Sequence, residues 1–291
     1  MFIATLIAAT LPQGEVSAAR DRLDAAGCLP VAEVWVEEGE ACDLQFGRDL
    51  AAARAALEGQ GAWDVVVQPA EHRRKKLIVA DMDSTMITVE CIDELADYAG
   101  IKAEVAAVTE AAMRGEMDFG EALDARVALL KGMDEAVIGR CLSERVKIMP
   151  GASALIRTMH GWGATAILVS GGFTRFAEPV AREIGFTRAI ANVLEVVDGK
   201  LTGTVAKPIV DSATKLATLS EAMLTLGIAR EETLAVGDGA NDLAMITQAG
   251  LGVAYHAKPV VAEAAGAQID HGDLTALLFA QGVARKDWAV A

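Results

Sequence analysis

Three short apolar runs in this chain each stop at a cluster of small, acidic or hydroxyl residues, and this limits the fold more than any other feature. Leu77–Ala80 ends at Asp81-Met82-Asp83-Ser84-Thr85, and Ala164–Val169 ends at Ser170-Gly171-Gly172. Thr233–Val236 ends at Gly237-Asp238-Gly239-Ala240-Asn241-Asp242, and Leu251–Ala254 forms a fourth apolar run. Short apolar runs bounded by turn residues read as strands buried on both faces. Helically patterned stretches lie between them, and that alternation predicts a parallel, doubly wound α/β sheet. Ligands of such sheets sit at the carboxyl ends of the strands, where all three clusters fall.

The stretch from Asp81 to Ser170 is too long for one crossover. Ile92, Leu95 and Ala99 keep helical spacing, as do Val105, Val108 and Ala112, and then Phe119, Leu123, Val127 and Leu130. Asp118 followed by Glu121 has the form of a capping box. A helical cap is therefore expected at about 87–149, between core segments 77–86 and 150–280. Long insertions at loops usually carry function.

The first 70 residues read as a separate unit. Phe2–Ala9 is apolar, and Val16, Ala19, Leu23 and Ala26 keep helical spacing until Gly27. Val31–Val36 and the alternating Cys42-Asp43-Leu44-Gln45-Phe46 read as strands around a turn at Gly39. Asp49–Gly59 reads as a helix and Trp63–Gln68 as a strand. The order βαββαβ predicts an α+β ferredoxin-like domain over 1–70, with 71–291 as the second domain. Arg73-Arg74-Lys75-Lys76, at the join, reads as a solvated linker.

With 26 Lys+Arg against 41 Asp+Glu, the net charge is -15. That balance disfavours nucleic acid and anionic membranes as partners. An anionic substrate would need local positive charge. The apolar start lacks the leading basic residues of a signal peptide and reads as a buried strand. No run reaches the ~20 apolar residues of a membrane span. Four scattered cysteines without a CxxC pair suggest neither a zinc site nor a disulfide frame. A cytoplasmic location is expected.

Two carboxylates two residues apart just past a strand can converge on one pocket. One can attack phosphorus as a nucleophile while its neighbour moves a proton. Asp81 and Asp83 have that spacing, and Asp238 and Asp242 add acids at the same sheet edge, a set that suits Mg²⁺. Ser170 and Gly171 can cradle an anion, and Lys215 can supply the missing positive charge. Taken singly, each cluster is also an ordinary turn and Lys215 an ordinary surface lysine. Together they point to metal-assisted phosphoryl transfer.

In this order the clusters resemble the motifs DxDxT, SGG, a lone Lys and GDGxND of the haloacid dehalogenase superfamily of phosphatases. From Leu77 to about Asp273 the chain is more closely similar to the phosphoserine phosphatase family within it. Glu90, nine residues after Asp81, matches that family, as do Met113, Phe119 and Arg126 in the cap and Val169–Phe173. The resemblance implies a Rossmann-like core that hydrolyses O-phospho-L-serine with Mg²⁺. Asp81 would be nucleophile and metal ligand. Asp83 would be general acid/base and, through its carbonyl, a second ligand. Asp238 would be the third, and Asp242 would act through water. Ser170, Gly171 and Lys215 would hold phosphate, Asn241 would orient the substrate, and Thr85 would position Asp83. Glu90 would take the ammonium and Arg126 the carboxylate, which a guanidinium can grip bidentately. Phe119 and Met113 would shield the pocket, though both also suit plain core positions. The leading unit resembles ACT-type domains, which bind amino acids or pair into homodimers. Transfer to another alcohol such as homoserine, or a role as an amino-acid sensor, are the competing readings.

Overall fold

The computed structural model describes residues 1–289, apart from the side chain of Met113. The leading unit runs β1 (Phe2–Ile7), α1 (Gln13–Ala25), β2 (Pro30–Glu37), β3 (Ala41–Phe46), α2 (Leu50–Leu57) and β4 (Asp64–Pro69). This is the βαββαβ order read from the pattern, and its strands lie side by side as β2-β3-β1-β4, antiparallel throughout. Leu6, Leu23, Leu44 and Leu57 form a core under α1 and α2.

The rest begins with β5 (Leu77–Ala80) and a cap of four helices, α3 (Cys91–Ala99), α4 (Lys102–Met113), α5 (Phe119–Ala128) and α6 (Ala136–Arg145). Then come α7 (Ala152–Gly161), β6 (Thr165–Phe173), α8 (Thr174–Ile184), β7 (Arg188–Asn192) and a hairpin of β8 (Leu194–Val197) and β9 (Lys200–Val205). The chain continues through α9 (Ser212–Leu226), β10 (Thr233–Gly237), α10 (Leu243–Gln248), β11 (Leu251–Tyr255), α11 (Pro259–Ala264), β12 (Ala267–Ile269) and α12 (Ala276–Ala280). The six core strands run parallel in the order β12-β11-β10-β5-β6-β7. Every residue of β5, β10 and β11 is buried, as expected for strands covered on both faces.

Local signals set the helix starts that matter. Asp118 accepts from Glu121 N at 2.8 Å and Glu121 accepts from Asp118 N at 3.0 Å, the reciprocal box that opens α5. Asp211 caps α9 through Thr214 N at 2.9 Å, which places Lys215 in its first turn. The fourth cap helix and the β8–β9 hairpin were not apparent in the sequence. The hairpin packs against α5.

The two units share one ten-stranded sheet, because β4 meets β12 antiparallel at Val65 and Gln268. Helix α12 packs across β1. Burying Leu277, Leu278 and Phe279 there contributes about 1.5–3 kcal/mol each. Asp64 accepts three backbone N–H groups, from Asp270, His271 and Gly272.

The Arg73–Lys76 stretch is not a solvated linker. Arg73 forks onto both oxygens of Asp43 at 2.6 Å and donates to the carbonyls of Phe279 and Ala280. Lys75 is buried, with its ammonium on Glu231 O at 2.8 Å. Burial lowers its pKa to about 8. Arg74 lies over the Trp162 ring, and only Arg74 and Lys76 are exposed. A buried carboxylate such as Asp43 needs a fixed cation, and no local pattern reveals that need 30 residues away.

Candidate active site

The carboxyl ends of β5, β6 and β10 open into a cavity of about 640 Å³ roofed by the cap. Asp81 follows β5 directly, with its N–H on Val236 O at 3.0 Å. Beyond it the chain curls tightly, and Met82 O accepts from the N–H groups of Thr85, Met86 and Ile87. That curl brings Asp83 back to the same cavity.

Along β6 the pairing with β7 slips between Val169 and Phe173, so Ser170-Gly171-Gly172 bulges out of the ladder. Bulges of this kind re-aim groups at a strand end. Ser170 Oγ accepts from Gly172 N at 2.8 Å, leaving its own proton free to donate into the cavity. A Cβ on Gly172 would lie 3.0 Å from both Asp83 Oδ2 and Ser170 Oγ. A Cβ on Gly237 would lie 2.4 Å from Asp242 Cγ. These glycines are what let the clusters converge.

Lys215 is fully buried and bridges Asp81 Oδ1 at 2.5 Å and Asp242 Oδ1 at 2.6 Å. Burial pulls its pKa down, but Asp81 and Asp242 outweigh that and hold it above the usual lysine range. It sits behind Asp81 and does not line the cavity. Asp242 also accepts from Gly239 N at 3.1 Å. Carboxylate oxygens of Asp81, Asp238 and Asp242 lie within 4.8 Å of one another. Burial, then Asp81, raises Asp238 to about 6 and Asp242 to about 7. Three acids crowded in this way, all offering hard oxygen donors, fit a divalent cation. Asp83 is raised well above the usual carboxyl range by burial, with Glu90 and Asp81 adding to it. Its Oδ1 is buried with no hydrogen-bond partner among the described residues.

Thr85 does not serve Asp83. Its hydroxyl points to Asp238 Oδ1 at 3.4 Å, because the turn at Met82 directs it toward β10. Glu90, Phe119, Arg126, Gly171 and Asn241 all line the cavity. Phe119 closes over the Ser170–Gly172 loop, 2.9 Å from where a Cβ on Gly171 would sit. Burial lowers the pKa of Arg126, opposed by Asp93 and Glu90. Burial raises that of Glu90. The Met113 side chain lies outside the described residues.

Two residues were missed. Lys258 lines the cavity, and its N–H bonds Asp238 O at 3.1 Å. Its position just past the fourth apolar run was the available signal. Asn192 is buried and ties Gly171 O (2.8 Å) to Val210 N (2.7 Å), so it joins the β6 loop to the approach to α9. Nothing in the sequence marked it.

Residues 78–247 match the model of the haloacid dehalogenase-like hydrolases, and the chain belongs to that family. Within it, the chain is 49% identical over 208 residues to the phosphoserine phosphatase of Albidiferax ferrireducens, covering 70% of this chain and 88% of that one. It is 48% identical over 213 residues to a phosphoserine phosphatase of Mycobacterium tuberculosis, covering 73% of this chain and 52% of that one. The chain thus spans about half the length of the latter. Two solved structures cover nearly the whole chain. A HAD family hydrolase from Salmonella enterica superposes with a TM-score of 0.84 at 29% identity, covering 96% of this chain and 98% of that one. A probable phosphoserine phosphatase from Vibrio cholerae gives 0.76 at 32%, covering 98% and 87%. Among the described residues no helix is long and apolar enough to cross a membrane.

Proposed function

We propose that the chain hydrolyses O-phospho-L-serine to L-serine and phosphate in the cytoplasm, with Mg²⁺ as cofactor. One observation carries this reading. The cavity that gathers Asp81, Asp83 and the Ser170–Gly172 loop also takes in the carboxylate of Glu90 and the guanidinium of Arg126. Those are the two charges that an α-amino acid's ammonium and carboxylate require. The relatives named phosphoserine phosphatase support it.

Lys215 bonds Asp81 Oδ1 at 2.5 Å, balances its charge and aims its other oxygen. Asp81 attacks phosphorus, the bond from phosphorus to the serine oxygen breaks, and Asp83 gives that oxygen its proton. Asp83 suits this step because burial, with Glu90 and Asp81 beside it, raises its pKa and so favours the protonated form an acid needs. Ser170 and the Gly171 N–H hold the phosphoryl oxygens, Asn241 orients the substrate, and Phe119 excludes water. In the second half Asp83 takes a proton from water as the water attacks the aspartyl phosphate, freeing phosphate and Asp81. Asp81, Asp238 and the Asp83 carbonyl would hold the metal, with Asp242 acting through water. When bound, Mg²⁺ neutralises charge on the transferring group.

Phosphate release from L-phosphoserine, with Mg²⁺ or EDTA, tests this in wild type, Asp81→Asn and Arg126→Met. Release that vanishes in EDTA and in Asp81→Asn supports the reading. Arg126→Met should lower kcat/KM by about 10–100-fold, the worth of a charge-assisted hydrogen bond. Turnover of other phosphate esters but not phosphoserine would retire the substrate.

We read residues 1–70 as an ACT-like domain and 71–291 as the phosphatase domain. The βαββαβ order supports the first. Its exposed edge strand β2 leaves room for a homodimer, which a sedimentation measurement would detect.

A further inference from the structure

Ser84 lies between the acid Asp83 and the buried Thr85, and its φ of 56° falls in the left-handed region that non-glycine residues seldom adopt. The conformation is held from both sides. Met82 O gathers three amides of the same turn, and Ser84 N reaches Val89 O. So turned, Ser84 faces the cavity, and its hydroxyl donates to Glu90 Oε1 at 2.7 Å. Glu90 occupies the N-cap of α3, where a side chain would ordinarily accept from its own helix's amides. It makes no such bond. Its carboxylate is turned instead toward Ser84 and the cavity.

We propose that Ser84 is a positioning residue that aims the Glu90 carboxylate at the ammonium group of the substrate, and so sets selectivity for amino-acid phosphates over other small phosphate esters. The inference rests on the phosphoserine reading. The bond engages one oxygen of Glu90 and leaves the other open to an ammonium. A hydroxyl donor also favours the ionised carboxylate, opposing the burial that raises its pKa. The turn carrying Asp81 and Asp83 therefore carries the group that orients the recognition carboxylate. Chemistry and amine recognition share one rigid loop.

The test measures kcat and KM for O-phospho-L-serine and for its deamino analogue, 3-phosphooxypropanoate. The proteins are wild type, Ser84→Ala, Ser84→Gly, Glu90→Gln and Ser84→Ala/Glu90→Gln. Ser84→Ala should raise KM for phosphoserine about tenfold, the worth of a hydrogen bond to a charged group, with a smaller change in kcat. Its loss on phosphoserine should exceed its loss on the analogue at least about fivefold. Ser84→Gly relaxes the left-handed backbone but also lacks the hydroxyl, and should behave like Ser84→Ala. On the Glu90→Gln background, Ser84→Ala should add less than about twofold. Equal losses on both substrates, wild-type kinetics in Ser84→Gly, or effects that multiply in the double variant would each overturn the proposal. A wild type that does not prefer phosphoserine would overturn the substrate reading as well, and shows itself before any variant is compared.

Discussion

Replacing Lys215 with Met removes one buried charge and leaves two. In wild type the Lys215 ammonium sits 2.5 Å from Asp81 and 2.6 Å from Asp242, with side-chain exposures of 0%, 7% and 0%. Methionine keeps the unbranched apolar stem and nearly the volume, one heavy atom shorter, so packing changes little and the electrostatic effect dominates. Removing one partner of a buried ion pair costs about 3–5 kcal/mol, because the remaining charge has no counterion. For a chain of this size that is a fall of about 6–10 °C in Tm. The assay is urea and thermal unfolding in EDTA at pH 8 and pH 5.5. The deficit should be largest at pH 8. At pH 5.5 one of the facing carboxyls can take up a proton and hydrogen-bond the other, so the deficit shrinks. Phosphate release should fall about 10²–10³-fold, the scale seen when a preorganised electrostatic contact is removed. A variant as stable as wild type at pH 8 in EDTA would refute the argument that Lys215 balances these acids.

The metal-free wild type should itself lose stability as pH rises from about 4 toward 7. Asp238 (about 6) and Asp242 (about 7) have folded pKa values above those of the unfolded chain. The folded state therefore keeps protons that the unfolded state has released, at up to about 1.4 kcal/mol per unit for each group. Stabilisation by Mg²⁺ should grow over the same window, and a pH-independent Mg²⁺ effect in denaturation curves would contradict it. Gly171→Ala should raise KM for phosphoserine at least about tenfold with little loss of stability, because the new Cβ would meet Phe119 Cζ at 2.9 Å and hold the aromatic roof away from the phosphate loop; steady-state kinetics beside a melting curve checks both. Arg73→Met should destabilise the protein by about 3–5 kcal/mol by stranding buried Asp43. Because the damage lies at the junction of the two units, proteolysis near residue 70 should speed up while kcat at low temperature holds.

The strand-end clusters were legible because their signals are local. A four-residue run with both faces apolar, followed at once by Asp81 or by Gly237-Asp238, states in one stretch of chain both that a strand is buried and that it ends in chemistry. The Asp118–Glu121 box was legible for the same reason, since both partners lie within one helical turn. One cavity is lined by Asp81, Asp83, Glu90, Phe119, Arg126, Ser170, Gly171, Asp238 and Asn241. Other facts belonged to the tertiary structure alone. Thr85 bonds Asp238 across 153 positions, Arg73 reaches Ala280 across 207, and Asn192 joins two loops that no pattern connects. Short-range periodicity and capping depend on residues within about four positions of each other, so a single stretch of sequence encodes them. A buried polar group takes whichever partner the packed chain delivers to it, and that delivery is decided only when strands far apart in sequence lie side by side.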